Sequence, residues 1–158
     1  MSFTNRLPTV VPGFGSPLQN DTLFLSQNVS IPSAGPATFS LTGLTPTISR
    51  GYIRVKIYGA TGTTPSIVLV DVVVTDGTTF VIVGRINTAT AIPLSTVAAS
   101  GSPYTNGGTL AAGLATPGGI DFIFPFLVDI NCTQVSVDVT LSGTTPTAKL
   151  DLEASGVS

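Results

Sequence analysis

The sequence predicts an all-β chain, an antiparallel β-sandwich or jelly roll, with an extended N-terminal arm. Three observations predict it. Charged residues make up only 9% of the 158, with two lysines (Lys56, Lys149) and one glutamate (Glu153) against 24 threonines. Side chains that favour exposed helix faces are therefore scarce, and β-branched ones are plentiful. Apolar residues recur at every second position over short runs, the period of a half-buried strand. Finally, 17 glycines and 12 prolines punctuate these runs, and the turn spacing of about 8–12 residues suggests roughly eight strands.

Residues 1–20 read as an arm and residues 21–158 as a single domain. Pro8, Pro12 and Pro17, with Gly13 and Gly15, exclude a helix or a central strand from the arm. Yet Phe3, Leu7, Val10, Val11, Phe14 and Leu18 make it apolar, so it is expected to dock, either on its own domain or, the favoured reading, on another subunit. Leu23 to Gln27 and Ala37 to Thr42 are the first expected strands. From Tyr52 to Tyr58 the alternation puts Ile53, Val55 and Ile57 on one face, with Tyr52, Arg54, Lys56 and Tyr58 on the other. Ser66 to Thr75 is apolar on both faces, with Val68, Val70, Val72 and Val74 opposite Ile67, Leu69 and Val73, as in a central or covered strand. Asp76-Gly77 then predicts a hairpin into Thr79 to Ile86.

Thr88 to Leu94 can form a further strand. Ser100 to Gly119, rich in small residues, reads as a long loop packed against something. Ile120 to Ile130 aligns Phe122, Phe124, Phe126, Val128 and Ile130, and Pro125 marks an edge strand or a bulge. Val135 to Leu141 and Lys149 to Glu153 alternate again and are expected to form a second hairpin. One segment recurs. Thr42-Gly43-Leu44-Thr45-Pro46-Thr47 resembles Thr61-Gly62-Thr63-Thr64-Pro65-Ser66 and Ser142-Gly143-Thr144-Thr145-Pro146-Thr147. It reads as a reused hairpin loop that fixes register, or as loops gathered on one rim to touch a partner.

Histidine and tryptophan are absent, and there is one cysteine. Ser-His-Asp and Cys-His catalysis, His-ligated zinc and an intrachain disulfide are thereby excluded. A net charge of −2 supplies no basic surface for nucleic acid. The strongest apolar run, Ile67 to Val74, is far short of the ~20 residues of a membrane span. No signal peptide is expected in Met1 to Pro17, and no metal or cofactor is expected.

Carboxylates are the remaining catalytic candidates. Asp151 and Glu153 share a strand face, as do Asp121 and Asp129. A glycosidase would need two of them in one cleft, and the expected reading is a solvated face on a protein that is not an enzyme. Asp71, set among apolar residues, is expected to pair with Arg54, Lys56 or Arg85. Cys132 reads as a small buried residue at a strand end.

A mean hydropathy of +0.50 on a chain without spanning segments asks for a partner. A Thr/Ser/Gly surface costs less to desolvate than one of Lys and Glu, and interface cores are depleted in charge. The apolar Pro-rich arm, the Thr/Gly/Val-rich sandwich, the loops Gly62 to Pro65 and Gly143 to Pro146, and Asp76-Gly77 together resemble the small virion proteins of tailed bacteriophages. The likeness is greatest to capsid cement or decoration proteins. That resemblance implies a homotrimer on the capsid exterior that clamps major capsid protein subunits, with Phe3, Arg6, Leu7, Val10, Val11 and Phe14 as the contacting residues. Alternatives from other classes are a tail, fibre or cell-surface glycan-binding module, which would use Tyr104 in a groove, a hydrolase, and an exosporium-type jelly roll.

Overall fold

The computed structural model describes residues 22–33, 35–94, 104–105 and 119–158. The expected arm, with Phe3, Arg6, Leu7, Val10, Val11 and Phe14, lies outside them, as does most of the 100–119 loop. The described chain is all-β. Its strands are β1 (Thr22–Ile31), β2 (Ala37–Thr42), β3 (Ile48–Thr75), β4 (Phe80–Pro93), β5 (Tyr104–Thr105), β6 (Gly119–Cys132) and β7 (Gln134–Val157). All seven belong to one extensive hydrogen-bonded sheet, antiparallel except where β5 meets β6.

Two strands organise the rest. β3 has 28 residues and β7 has 24, and they pair along almost their whole length. The first half of β3 is flanked by β6, and its second half by β4. β7 is flanked first by β2 and then by β1. Fully extended, 28 residues would span about 90 Å. Yet both ends of β3 lie at the β6–β7 turn. Ile48 pairs with Cys132, and the Thr133 amide donates to the Thr75 carbonyl at 2.8 Å. The sheet has folded back at the middle of both long strands.

The fold-back corrects two expectations. Lys149 to Glu153 does not form a hairpin with Val135 to Leu141, because both runs belong to β7. Of the three recurrences of the Gly-Thr-Thr-Pro type, only the one at Thr42 to Thr47 connects two strands. The other two lie within β3 and β7 and face each other, with Thr61 opposite Thr147 and Thr63 opposite Thr144.

The physical reason is mutual fit. Gly62 (φ +94°) lies so near β7 that a Cβ there would stand 2.7 Å from the carbonyl oxygens of Thr144 and Thr145. Gly143 (φ +128°) is its counterpart, with the Thr63 and Thr64 carbonyl oxygens at 2.8 Å. Thr64 and Thr145 take positive φ angles of 50° and 46°. Each segment bends beside a neighbour that bends with it, and the Pro65 carbonyl at the bend accepts the Leu94 amide at 2.8 Å.

The core follows from the alternation. Ile53, Val55 and Ile57, Val70, Val72 and Val74, Val135, Val137 and Val139, and Leu150 and Leu152 are all fully buried in one cluster. A register shift between Ile67 and Leu69 brings Ile67 to the buried side with Val70 and leaves Val68 half-buried. The expected face assignment is thereby exchanged at that point, as one extra residue in a strand does. Phe122, Phe124 and Phe126 are buried as expected. Gly84 of β4 lies against Phe124, since a Cβ there would come within 2.0 Å of the ring's Cδ1. β4 and β6 therefore touch there although they share no hydrogen-bonded ladder. Pro125 pairs with Tyr52 of β3 and lies beyond the two positions of β6 that β5 joins, Asp121 and Phe122, so a missing N–H on its outer side interrupts no described ladder. The β3–β4 hairpin forms at Asp76-Gly77. Asp76 Oδ1 accepts the amides of Thr78 (2.8 Å) and Thr79 (2.7 Å).

Candidate functional site

The outward positions of the first half of β3 carry the polar half of its alternation: Tyr52, Arg54, Lys56 and Tyr58. The register sets acidic residues beside them. Glu153 lies opposite Arg54 and Asp151 opposite Lys56 on β7, and Asp121 lies opposite Lys56 on β6. Leu25 of β1 lies opposite Glu153. A shift between Ser26 and Val29 bulges β1 there, with Asn28 at φ 56°. Leu25, Gln27, Arg54, Lys56, Asp151 and Glu153 line a shallow depression of about 210 Å³.

Most charges in it are held in place. Arg54 donates to both carboxylate oxygens of Asp121, through Nε at 3.3 Å and Nη2 at 3.1 Å. It also stands 3.7 Å from Glu153. The Asp121 carboxylate is 3% exposed, and a buried carboxylate needs such a bidentate partner. Tyr52 donates its hydroxyl to Glu153 Oε1 at 2.7 Å. Tyr58 donates to Asp151 Oδ1 at 3.0 Å, and the Asn28 amide donates to the same oxygen at 2.8 Å. The bond to Glu153, aided by burial, raises the Tyr52 phenol above its ordinary pKa. Burial first, then the bond to Asp151, raises that of Tyr58. Lys56 Nζ sits 5.2 Å from the centre of the Tyr58 ring. It forms no ion pair among the described residues, although two carboxylates flank it by register.

Of the four carboxylates singled out in the sequence, Asp151 and Glu153 line this depression, and Asp121 does not line it but is buried against Arg54, which does. Asp129 is exposed further along β6 and does not line the depression. Asp71 finds Arg85, one of its three expected partners, with Nε–Oδ1 at 2.8 Å and Nη2–Oδ2 at 2.9 Å. Cys132 is fully buried at the end of β6, and burial pushes its thiol up. Tyr104 joins the sheet through its backbone beside Asp121. Among the described residues, no group of three or more acidic or cysteine side chains is placed to hold a metal ion.

Sequence reasoning missed the constellation of Tyr52, Arg54, Lys56, Tyr58, Leu25 and Gln27. The signal was available in part, because four polar residues at every second position fall on one face. The missing piece was the register that lays Asp151 and Glu153 beside them. Comparison of the chain with protein-family models, curated proteins and solved structures returns no match. The site is therefore read from its geometry alone.

Proposed function

We propose that this chain is a non-enzymatic structural protein of a phage particle, folded as a jelly-roll sandwich. In this reading it binds the outside of a capsid shell as a homotrimer. The strand order carries the proposal. Divided at their shared bend, β3 and β7 each contribute to two four-strand groups. One runs β1, second half of β7, first half of β3, β6, and the other runs β2, first half of β7, second half of β3, β4. A jelly roll with two Greek keys alternates its strands between two layers in such an order, which supports the reading; viral capsid domains are among those that use that architecture.

A fold hosts many functions, so surface character must choose among them. Large apolar side chains stand in solvent on the two strands that flank the halves of β3: Phe80 (69% exposed) and Ile82 (53%) on β4, and Leu127 (79%) on β6. Phe80 pairs with Thr75 and Leu127 with Arg50, so they lie toward the same end of the fold, where both ends of β3 meet. Single exposed apolar residues are ordinary, but three large ones toward one end favour assembly. The arm residues Phe3, Arg6, Leu7, Val10, Val11 and Phe14 are the proposed contacts with the major capsid protein.

Cosedimentation with purified capsid shells tests this reading. The full chain is expected to pellet with shells. A chain lacking residues 1–17 is expected to fold and stay in solution. Attachment is expected to weaken little between low and physiological salt, because few charges are available to be screened. Failure of the full chain to bind shells, or a steep salt dependence, would overturn it.

A further inference from the structure

We propose that the depression on the outer face of β1, β7 and β3 binds a neutral saccharide ring, held by two adjacent hydroxyls between Lys56 and Asp151. This goes beyond shell binding and does not rest on it. The starting point is an ion pair that has not closed. Lys56 and Asp151 are directly opposed on β3 and β7, a relation that sets Cβ atoms about 5 Å apart and brings opposite charges together. Here they remain apart. Asp151 Oδ1 is drawn away by the Asn28 amide and the Tyr58 hydroxyl. Lys56 lies over the Tyr58 ring and makes no ion pair among the described residues. Between them stand unspent ammonium donors and a second carboxylate oxygen. One hydroxyl can accept from the first while its neighbour donates to the second.

The surroundings select the class of ligand. Arg54 and Lys56 line the depression together with Asp151 and Glu153, and Arg54 is also bound to Asp121, so groups of both signs are interspersed and neither sign stands alone. An anion would meet both carboxylates, and a cation would meet both bases. A neutral polyol uses donors and acceptors alike. Leu25, 48% exposed, supplies an apolar wall for a ring's C–H face, the usual complement to a few placed polar groups. The volume of about 210 Å³ has room for a single ring. Arg54, Glu153 and Asp151 are already fixed by bonds to Asp121, Tyr52, Tyr58 and Asn28, so binding orders few side chains. With one ring and an open mouth, affinity is expected near the millimolar range.

Saturation-transfer NMR on the full chain, with glucose, galactose, mannose and N-acetylglucosamine as probes, tests the proposal. At least one sugar is expected to receive saturation, and its affinity is expected to be unchanged by added sodium chloride. Lys56→Met, which keeps the stem, and Asp151→Asn, which keeps an acceptor for Tyr58 and Asn28, are each expected to weaken it at least tenfold while the chain still unfolds cooperatively. No transfer to any of the four sugars would overturn the proposal. So would binding that survives both substitutions, or displacement of the sugar by inorganic phosphate at lower concentration, which would mark an anion site. Shell cosedimentation reads a different property, so failure of one reading is distinguishable from failure of the other.

Discussion

Tyr52 and Tyr58 show how a single outward residue takes its chemistry from the strand beside it. Each phenol donates to a carboxylate on β7, and each is held protonated to higher pH than an ordinary tyrosine. The folded state favours the protonated form. These bonds therefore add stability in full below the unfolded value near 10 and lose it as pH rises through the raised folded values. In an ultraviolet titration of the native chain, two of the three tyrosines are expected to ionise above pH 10, and Tyr52→Phe is expected to remove one of those two transitions. Two native transitions at the ordinary value would contradict the geometry. The tyrosines were visible in the sequence as members of an alternating face. Their partners were not, because Asp151 lies 93 positions from Tyr58, and no local pattern encodes which distant strand comes alongside.

Among elements, the two bent strands divide what the sequence could and could not reveal. The faces of Tyr52 to Tyr58 and of Ile120 to Ile130 were legible because burial on one side writes itself as a period of two. So was the hairpin at Asp76-Gly77, whose turn chemistry is local. The corner was not legible. Gly and Pro at 61–66 and 142–147 carry the same letters as a hairpin loop, and only their mutual pairing makes them bends within strands. Gly62→Ala is expected to cost about 2 kcal/mol or more, seen as a lower urea midpoint, because Ala is strained at positive φ and its Cβ meets two carbonyls. Gly84→Ala is expected to cost about 1–3 kcal/mol by crowding Phe124. Combined with Phe124→Leu it should cost less than the two single changes added, and strict additivity would show that β4 and β6 do not touch there.

For the whole molecule, the exposed apolar end makes the sharpest claim about association. The triple variant Phe80→Ser, Ile82→Thr, Leu127→Ser removes only outward side chains, so its unfolding should remain cooperative. Light scattering of the full chain is expected to give the mass of a trimer. The triple variant is expected to shift to the monomer mass at the same concentration, and a trimer unaffected by all three changes would exclude this end as the contact. The all-β class was readable from composition and period together. The single sheet doubled over on itself was not, because it depends on two strands far longer than the runs of alternation that announce them.

β7 is the partner of β1, β2 and β3 alike, and it is translated after every one of them. At ribosomal speeds, β2 leaves the exit tunnel roughly ten seconds before the strand that will receive it. In that interval β1 and β2 have no described ladder to join, and their edges lie open to any other nascent chain. Pairing of β1 and β2 is thus a race between release of β7 and coalescence with neighbouring chains. Slower decoding ahead of Gln134 would tilt that race toward inclusion bodies without altering a single amino acid.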